Sequence, residues 1–267
     1  MANGIIKFEE IDGVGIITLD RPDSRNSLTP DMVDEMGEAI EACKRNDVRS
    51  VLLNGTGAAF CSGADVKMFV EVLDNGGPEG LHQHISTMAD ALHTKVVLGL
   101  RRLEKPVVAA INGVAAGAGF SLTLGCDIRY AAQSARFLMA YANIGATADG
   151  GSTYLLPRLV GSGRAMEIYL ASQPISAQMA LDMGLVNQVV EDEHLFRHAM
   201  ETAVRLAQGP TLAYGKVKAL FDQSWDKDIG TQLNAETEAL ANSGLTADFQ
   251  EGIKAFAERR QARFQGK

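Results

Sequence analysis

Two stretches of this chain collect small residues where a strand would run into a helix. They are Ala58-Ala59-Phe60-Cys61-Ser62-Gly63-Ala64-Asp65-Val66-Lys67 and Ile111-Asn112-Gly113-Val114-Ala115-Ala116-Gly117-Ala118-Gly119-Phe120. Small side chains at such a turn let a ligand approach the N–H groups of the first helical residues, which have no acceptor inside the helix. Amides placed that way can hold an oxyanion. The same composition suits a helix packed tightly on a sheet, so neither stretch decides the matter alone. Gly117-Ala118-Gly119 is not a dinucleotide fingerprint, because the third glycine is missing and the segment lies mid-chain.

A carboxylate near such amides would add acid–base chemistry. The candidate is Asp149, in Thr147-Ala148-Asp149-Gly150-Gly151-Ser152. An Asp ahead of a helix is also a good N-cap, and the sequence leaves both roles open.

The elements that must carry these residues are readable in outline. Ile5 to Phe8 and Gly15 to Leu19 are β-branched runs separated by Asp12-Gly13, which suits a type I′ hairpin. Thr29-Pro30-Asp31 opens an amphipathic helix to about Arg45. Strands are expected over Arg49 to Asn54, Val107 to Ile111, Asp127 to Ala131 and Leu185 to Val190. The theme is strand, strand, helix. Phe69 to Leu92 contains Asn75-Gly76-Gly77-Pro78 and reads as a mobile irregular insertion, either a lid or a surface loop. From about His194 the pattern is helical, to Gln208, from Pro210 to Trp225, over 229–242 and over 246–263. This divides the chain into an α/β core over 1–200 and a helical region over 201–267.

Composition narrows the function. At 267 residues and 46% hydrophobic the chain can bury a large core. A net charge of −8 disfavours nucleic-acid binding, no run is apolar enough to span a membrane, and Met1 to Glu10 does not read as a leader, so a cytoplasmic protein is expected. Cys43, Cys61 and Cys126 lack the spacing of disulfide or zinc motifs.

Taken together the motifs resemble the crotonase family of enoyl-CoA hydratases and isomerases over the whole chain. The likeness rests on Leu19-Asp20-Arg21-Pro22 with Asn26-Ser27-Leu28, Phe60 to Asp65, Ala110 to Gly119 with Cys126-Asp127, Gly150-Gly151-Ser152 before Leu156-Pro157-Arg158, and Gly252 to Arg260. The resemblance implies a ClpP/crotonase-like spiral of ββα turns with a helical C-terminal region that builds a trimer or a dimer of trimers. It implies an acyl-CoA thioester as substrate, coenzyme A entering as part of that substrate, with no separate cofactor and no metal. By position, the oxyanion donors would be the amides of Ala64 and Ala118. Ser62, Asp65, Val66, Lys67 and Gly117 would line the pantetheine and adenine, Arg25 would lie near the phosphates, and Phe256 and Arg259 at a neighbouring subunit's site.

The family's hydratases use two glutamates, and the matching positions hold Ser121 and Tyr141. A hydroxyl without a base cannot activate water near neutral pH, so hydration is disfavoured but stays an alternative. The likeness is greatest to the ring-opening isomerases of phenylacetyl-CoA breakdown, which also convert 3-enoyl-CoA to 2-enoyl-CoA. It is carried by Ser134 to Ala140 and Tyr154 to Arg158, and it makes Asp149 a proton carrier. Tyr141 would pack or donate its hydroxyl to the acyl group, and Ser121 would be structural. A hydrolytic aryl-CoA dehalogenase is a minor alternative, since its histidine position holds Thr94 and the adjacent His93 would point about 100° away on a helix. His82, His84 and His93 then read as surface residues. A non-catalytic RNA-binding relative would need a basic stripe, and a Clp-type peptidase a His and Asp for Ser121. Neither is found.

Overall fold

A computed structural model describes residues 4–267; Met1 to Asn3, part of the leader reading, lie outside them. The chain enters on a hairpin of β1 (Ile6–Ile11) and β2 (Val14–Leu19), antiparallel in register Ile6 to Leu19. Asp12 and Gly13 have φ of 52° and 76°, the two positive values that a type I′ turn needs. Helix α1 (Pro30–Ala42) starts where the Met32 N–H donates to Thr29 Oγ1 at 3.3 Å, and it buries Met32, Val33, Met36, Ala39 and Ile40 on one face.

Three turns of a spiral follow, each giving one strand to each of two sheets and then a helix. The first is β3 (Ser50–Gly55), β4 (Ala59–Cys61) and α2 (Val66–Ala91), prolonged by a π-helical segment over Leu92–Val97 and by α3 (Leu98–Arg102). The second is β5 (Val107–Ile111), β6 (Val114–Ala116) and α4 (Ala118–Leu124), and the third is β7 (Ile128–Ala132), β8 (Arg136–Leu138) and α5 (Ser152–Val160). Then come α6 (Ser162–Ala171), β9 (Ile175–Ser176), α7 (Ala177–Asp182) and β10 (Gln188–Val190). The larger sheet runs β1-β2-β3-β5-β7-β10 and the smaller β4-β6-β8-β9. Pairing is parallel from β2 to β10 and from β4 to β8. That is why β5, Val-Val-Ala-Ala-Ile, is apolar and buried at every position. Phe60, Phe120 and Phe137 are fully buried, with the last two ring centroids 5.5 Å apart.

The expected irregular insertion is helical. Asn75-Gly76-Gly77-Pro78 is a kink, with Gly77 at φ 65°, ψ −170°, and the flanking segments form the two halves of α2. Phe69 on one half meets His84 on the other edge-on, centroids 5.7 Å apart. The Gly-Gly-Pro break conceals a helix on each side of it.

The C-terminal helices are α8 (Leu195–Ala207), α9 (Thr211–Ser224), α10 (Ile229–Ser243) and α11 (Ala247–Ala257). The last ends short of 263 because Arg259 turns left-handed at φ 56° and the Arg260 N–H closes back on the Ala255 carbonyl. A boundary at 200 falls inside α8, which buries Leu195, Ala199 and Ala203 against the large sheet and accepts the Ser50 hydroxyl at the Ala203 carbonyl, 2.7 Å. The helices beyond differ: α10 buries nothing, and Leu240, Leu245 and Phe256 are 67%, 82% and 86% exposed. No helix of the described residues is long and apolar enough to cross a membrane.

Asn26 ties the loop after β2 to the first spiral turn. It is fully buried, adopts φ 54°, accepts the Arg21 N–H at 2.8 Å, and reaches the carbonyls of Thr56, Ala59 and Phe60 through Nδ2 at 2.9, 2.8 and 3.1 Å. Asn tolerates this conformation better than most residues, and each buried partner left unpaired costs about 1 to 3 kcal/mol. Asn26→Ala should therefore lower the unfolding free energy in urea by about 3 kcal/mol. A change under about 1 kcal/mol would show that the loop is held by something else.

Candidate active site

The turn at Gly63 is fixed from one side by the loop after β2. Leu28 donates to the Gly63 carbonyl at 2.8 Å, Asp65 N–H to the Leu28 carbonyl at 2.9 Å, and Ser62 N–H to the Arg25 carbonyl at 3.0 Å. The second turn pivots on Gly117, at φ 51°, ψ −125°, whose N–H donates to the Leu138 carbonyl at 2.9 Å. The two turns touch. A Cβ built on Gly63 would lie 2.8 Å from the Ala116 oxygen and 3.4 Å from the Ala118 nitrogen, and one on Gly119 would lie 2.2 Å from the Cys61 oxygen. The small residues thus serve the close packing of α4 on β4 and bring the two turns into contact. The N–H groups of Ala64 and Ala118, on these adjoining turns, donate to no acceptor among the described residues.

Asp149 is not the cap of α5. That helix begins at Gly151 with no side chain capping it, and it is the Asp149 carbonyl that accepts from Ser152, N–H at 3.1 Å and Oγ at 2.7 Å. The carboxylate turns instead toward α4. Tyr141 donates its phenol to Asp149 Oδ1 at 2.5 Å, and the Tyr141 oxygen lies 3.0 Å from Ser121 Oγ. Since the one phenolic proton goes to Asp149, Ser121 is the donor in that second bond. Ser121 Oγ is also 3.3 Å from the Gly117 carbonyl, a weaker alternative acceptor for its single proton, so the hydrogen-bond chain runs from Ser121 on α4 through Tyr141 to the carboxylate. Burial pushes the Tyr141 phenol far above its ordinary range, and the Asp149 charge and hydrogen bond raise it further. Tyr141 is therefore a permanent donor, and Ser121 orients it rather than merely filling space. Gly150, at φ 61°, makes the close approach possible, because a Cβ there would meet Ser121 Cβ at 2.6 Å.

His93 belongs to this site too, against the expectation of a surface residue. The segment over Leu92–Val97 is a π-helix, so the α-helical rotation assumed from sequence does not apply. Gly150 N–H donates to His93 Nε2 at 3.1 Å, and that nitrogen stands 3.9 Å from Asp149 Oδ2. Thr94 is exposed and bonds back to the Asp90 carbonyl, 2.7 Å. An i+5 turn leaves no mark in an amphipathic pattern, so the sequence reading, which assumes an α-helix, turns His93 away from Asp149.

The remaining expected residues fall into two places. Arg25, Val66 and Lys67 are exposed around the Ser62–Gly63 turn. Asp65 is held by Ser27 Oγ at 3.0 Å and Arg21 Nη2 at 3.3 Å, so it braces the loop that carries Arg25. Phe256 lies on the far C-terminal helices, lining a cavity of about 590 Å³ with Leu212, Val217 and Leu240. That cavity contains no residue of either glycine turn. Arg259 is exposed just past α11. The three cysteines are buried free thiols, each with its pKa pushed up to about 12 by burial.

Comparison with known proteins bears on this geometry. The family model described as enoyl-CoA hydratase/isomerase matches residues 9–267. The chain is 38% identical to the 1,2-epoxyphenylacetyl-CoA isomerase of Escherichia coli (strain K12) over 96% of each chain. It is 36% identical to the short-chain-enoyl-CoA hydratase of Clostridium acetobutylicum over 97% of this chain and 96% of that one. A crystal structure of an enoyl-CoA hydratase from Bacillus anthracis superposes with a TM-score of 0.90 at 32% identity, covering 98% of this chain and 100% of the other. These relatives lend the dehalogenase reading no support.

The phenol of Tyr141 has a consequence for pH. Its folded pKa is raised above the roughly 10 of an unfolded tyrosine. Between those values the folded state binds the extra proton, so this stabilising linkage is complete below about pH 10 and is lost as pH climbs, by up to about 1.4 kcal/mol per unit. Urea midpoints at pH 8, 10 and 11 should fall more steeply for the wild type than for Tyr141→Phe. Parallel curves would mean that the phenol ionises freely in the fold.

Proposed function

The chain belongs to the enoyl-CoA hydratase/isomerase family, and from that premise we propose that it is an isomerase moving a double bond along an acyl-CoA chain, or opening a ring epoxide, by a proton shift through Asp149. The observation that carries this reading is the engagement of Asp149. Ser121 and Tyr141, which stand where the resemblance puts the two hydratase glutamates, make a hydrogen-bonded support for one carboxylate, and that carboxylate keeps Oδ2 out of the network. A 1,3-proton shift needs a single base, whereas hydration of the family's kind uses two.

The thioester oxygen accepts from the amides of Ala64 and Ala118, each such donor contributing about 3 to 4 kcal/mol as negative charge develops. Asp149 Oδ2 takes a proton from C2 of a 3-enoyl-CoA. The C–H electron pair forms C1=C2 while the carbonyl π pair moves to oxygen, giving a dienolate. When the carbonyl re-forms, the C1=C2 pair becomes C2=C3, and the former C3=C4 pair takes the proton from Asp149 at C4. Tyr141 holds Oδ1 throughout, so the carboxylate presents the same oxygen to both carbons.

Arg25 and Lys67 would supply the positive charge that coenzyme A phosphates require in an otherwise acidic chain, with Ser62, Val66 and Gly117 along the pantetheine. The exposed apolar side chains of α9 to α11 support assembly as a trimer or a dimer of trimers, which would carry Phe256 and Arg259 to a neighbour's site. Sedimentation equilibrium at micromolar concentration should return the mass of three or six chains. A monomer would remove Phe256 and Arg259 from the site.

With 3-hexenoyl-CoA the wild type should form the 2-enoyl product, and Asp149→Asn should lose about 100- to 10,000-fold in kcat with little change in KM. Hydration of 2-hexenoyl-CoA by both proteins, with isomerisation by neither, would overturn the reading in favour of a hydratase.

A further inference from the structure

His93 has no part in the chemistry described so far, yet it contacts the loop that carries the base. Because the Gly150 N–H donates to Nε2, that nitrogen carries a lone pair, and the ring is neutral with its proton on Nδ1. At 3.9 Å, Nε2 and Asp149 Oδ2 are not hydrogen-bonded. A proton on Nε2 reverses both relations. Two donors, Nε2–H and the Gly150 N–H, would face each other at 3.1 Å, and Asp149 Oδ2 would be an acceptor about 1 Å of movement away. Oδ1 is already held by Tyr141, so the imidazolium would close the one oxygen left for substrate.

The surroundings of the ring are consistent with such a response. On its own helical run Asp90 and Lys95 flank it, and Lys95 is bound to Asp34 of α1 at 2.9 Å. From α3, Arg101 is turned away and held by Asp127 and Asp222. From the loop before α5 come Asp149 and the protonated phenol of Tyr141. Among the described residues, Asp149 is the one carboxylate within 4.0 Å of a His93 ring nitrogen. The side chain is 42% exposed, so protons reach it freely. The π-helical turn over Leu92–Val97, a costly departure that recurs at functional positions, is what delivers the ring to Gly150.

We propose that His93 is a positioning residue for the proton carrier: neutral, it anchors the Gly150 amide and leaves Asp149 Oδ2 open; protonated, it releases that amide and pairs with the carboxylate. The inference rests on Asp149 being the base. It assigns the acid limb of the reaction to an imidazole rather than to the carboxylate.

The test is the pH profile of kcat/KM for 3-hexenoyl-CoA isomerisation by wild type, His93→Gln, His93→Ala and Asp149→Asn. Glutamine keeps an acceptor for the Gly150 N–H and cannot become charged. The wild type should fall about tenfold by one pH unit below the midpoint of its acid limb, while His93→Gln stays within about twofold of its plateau there. Alanine, lacking the acceptor, should lower the plateau of kcat at every pH more than it changes KM. The NMR titration of the His93 ring in the wild type should share the midpoint of the kinetic limb. An acid limb in His93→Gln identical to the wild type's, or a ring that titrates away from that limb, overturns the inference while inactive Asp149→Asn still upholds the base. Isomerisation by Asp149→Asn at the wild-type rate instead overturns the reading of Asp149 and this inference with it.

Discussion

Everything in this site depends on the contact between two glycine turns. Gly63 leaves no room for a Cβ against the Ala116 carbonyl, and Gly119 leaves none against the Cys61 carbonyl. The backbones meet because nothing stands between them, and the amides of Ala64 and Ala118 lie on the two adjoining turns. The ββα repeat provides for this by construction. Each turn of the spiral advances one strand in each sheet, so the ends of β4 and β6, paired in parallel, release their chains at neighbouring points. A donor pair built from main chain is insensitive to side-chain identity, so under the proposed reading alanine at 64 and 118 is no obstacle.

In the proposed mechanism one carboxylate does the acid–base work, and the chain shows how it is held. Its support comes from Tyr141 in the segment after β8, which holds Oδ1, and from Ser121 on α4, 20 positions earlier, which holds the Tyr141 oxygen. Desolvation keeps the phenol neutral, so the hydrogen bond to Oδ1 survives any physiological pH. A fixed donor on one oxygen removes a choice of geometry from the other.

The sequence made the frame legible where local chemistry dictates it. Asp12-Gly13 admits the turn that was expected, Thr29-Pro30 starts the helix that was expected, and the buried run Val107 to Ile111 is a parallel strand. It misled where two local signals overlap. Gly76-Gly77-Pro78 spells a loop, yet it kinks one helical run between halves that bear Phe69 and His84 on facing surfaces. The pairing of Asp149 with Tyr141 and of His93 with Gly150 arises from packing between elements, and no periodicity encodes it. The glycine turns and Asp149 stand out in the sequence; the placement of His93 beside Gly150 does not, because it follows from a π-turn.

The division of labour between backbone and side chain has a further implication. The amide pair is held by strand pairing and tight packing, interactions whose loss would unfold the spiral, so its placement is as stable as the fold. The carboxylate sits on a loop of two left-handed glycines, Gly150 and Gly151, that touches the core through Ser121 and Val97 and is anchored by His93. Loops of that kind open at lower free energy than strands do. In the proposed mechanism, binding of the thioester oxygen and delivery of the proton therefore lie on parts of the molecule with different rigidity. On that proposal, a change at positions 93, 121, 141 or 149 alters the acid–base chemistry while the two glycine turns, and the fold that sets them, stay as they are.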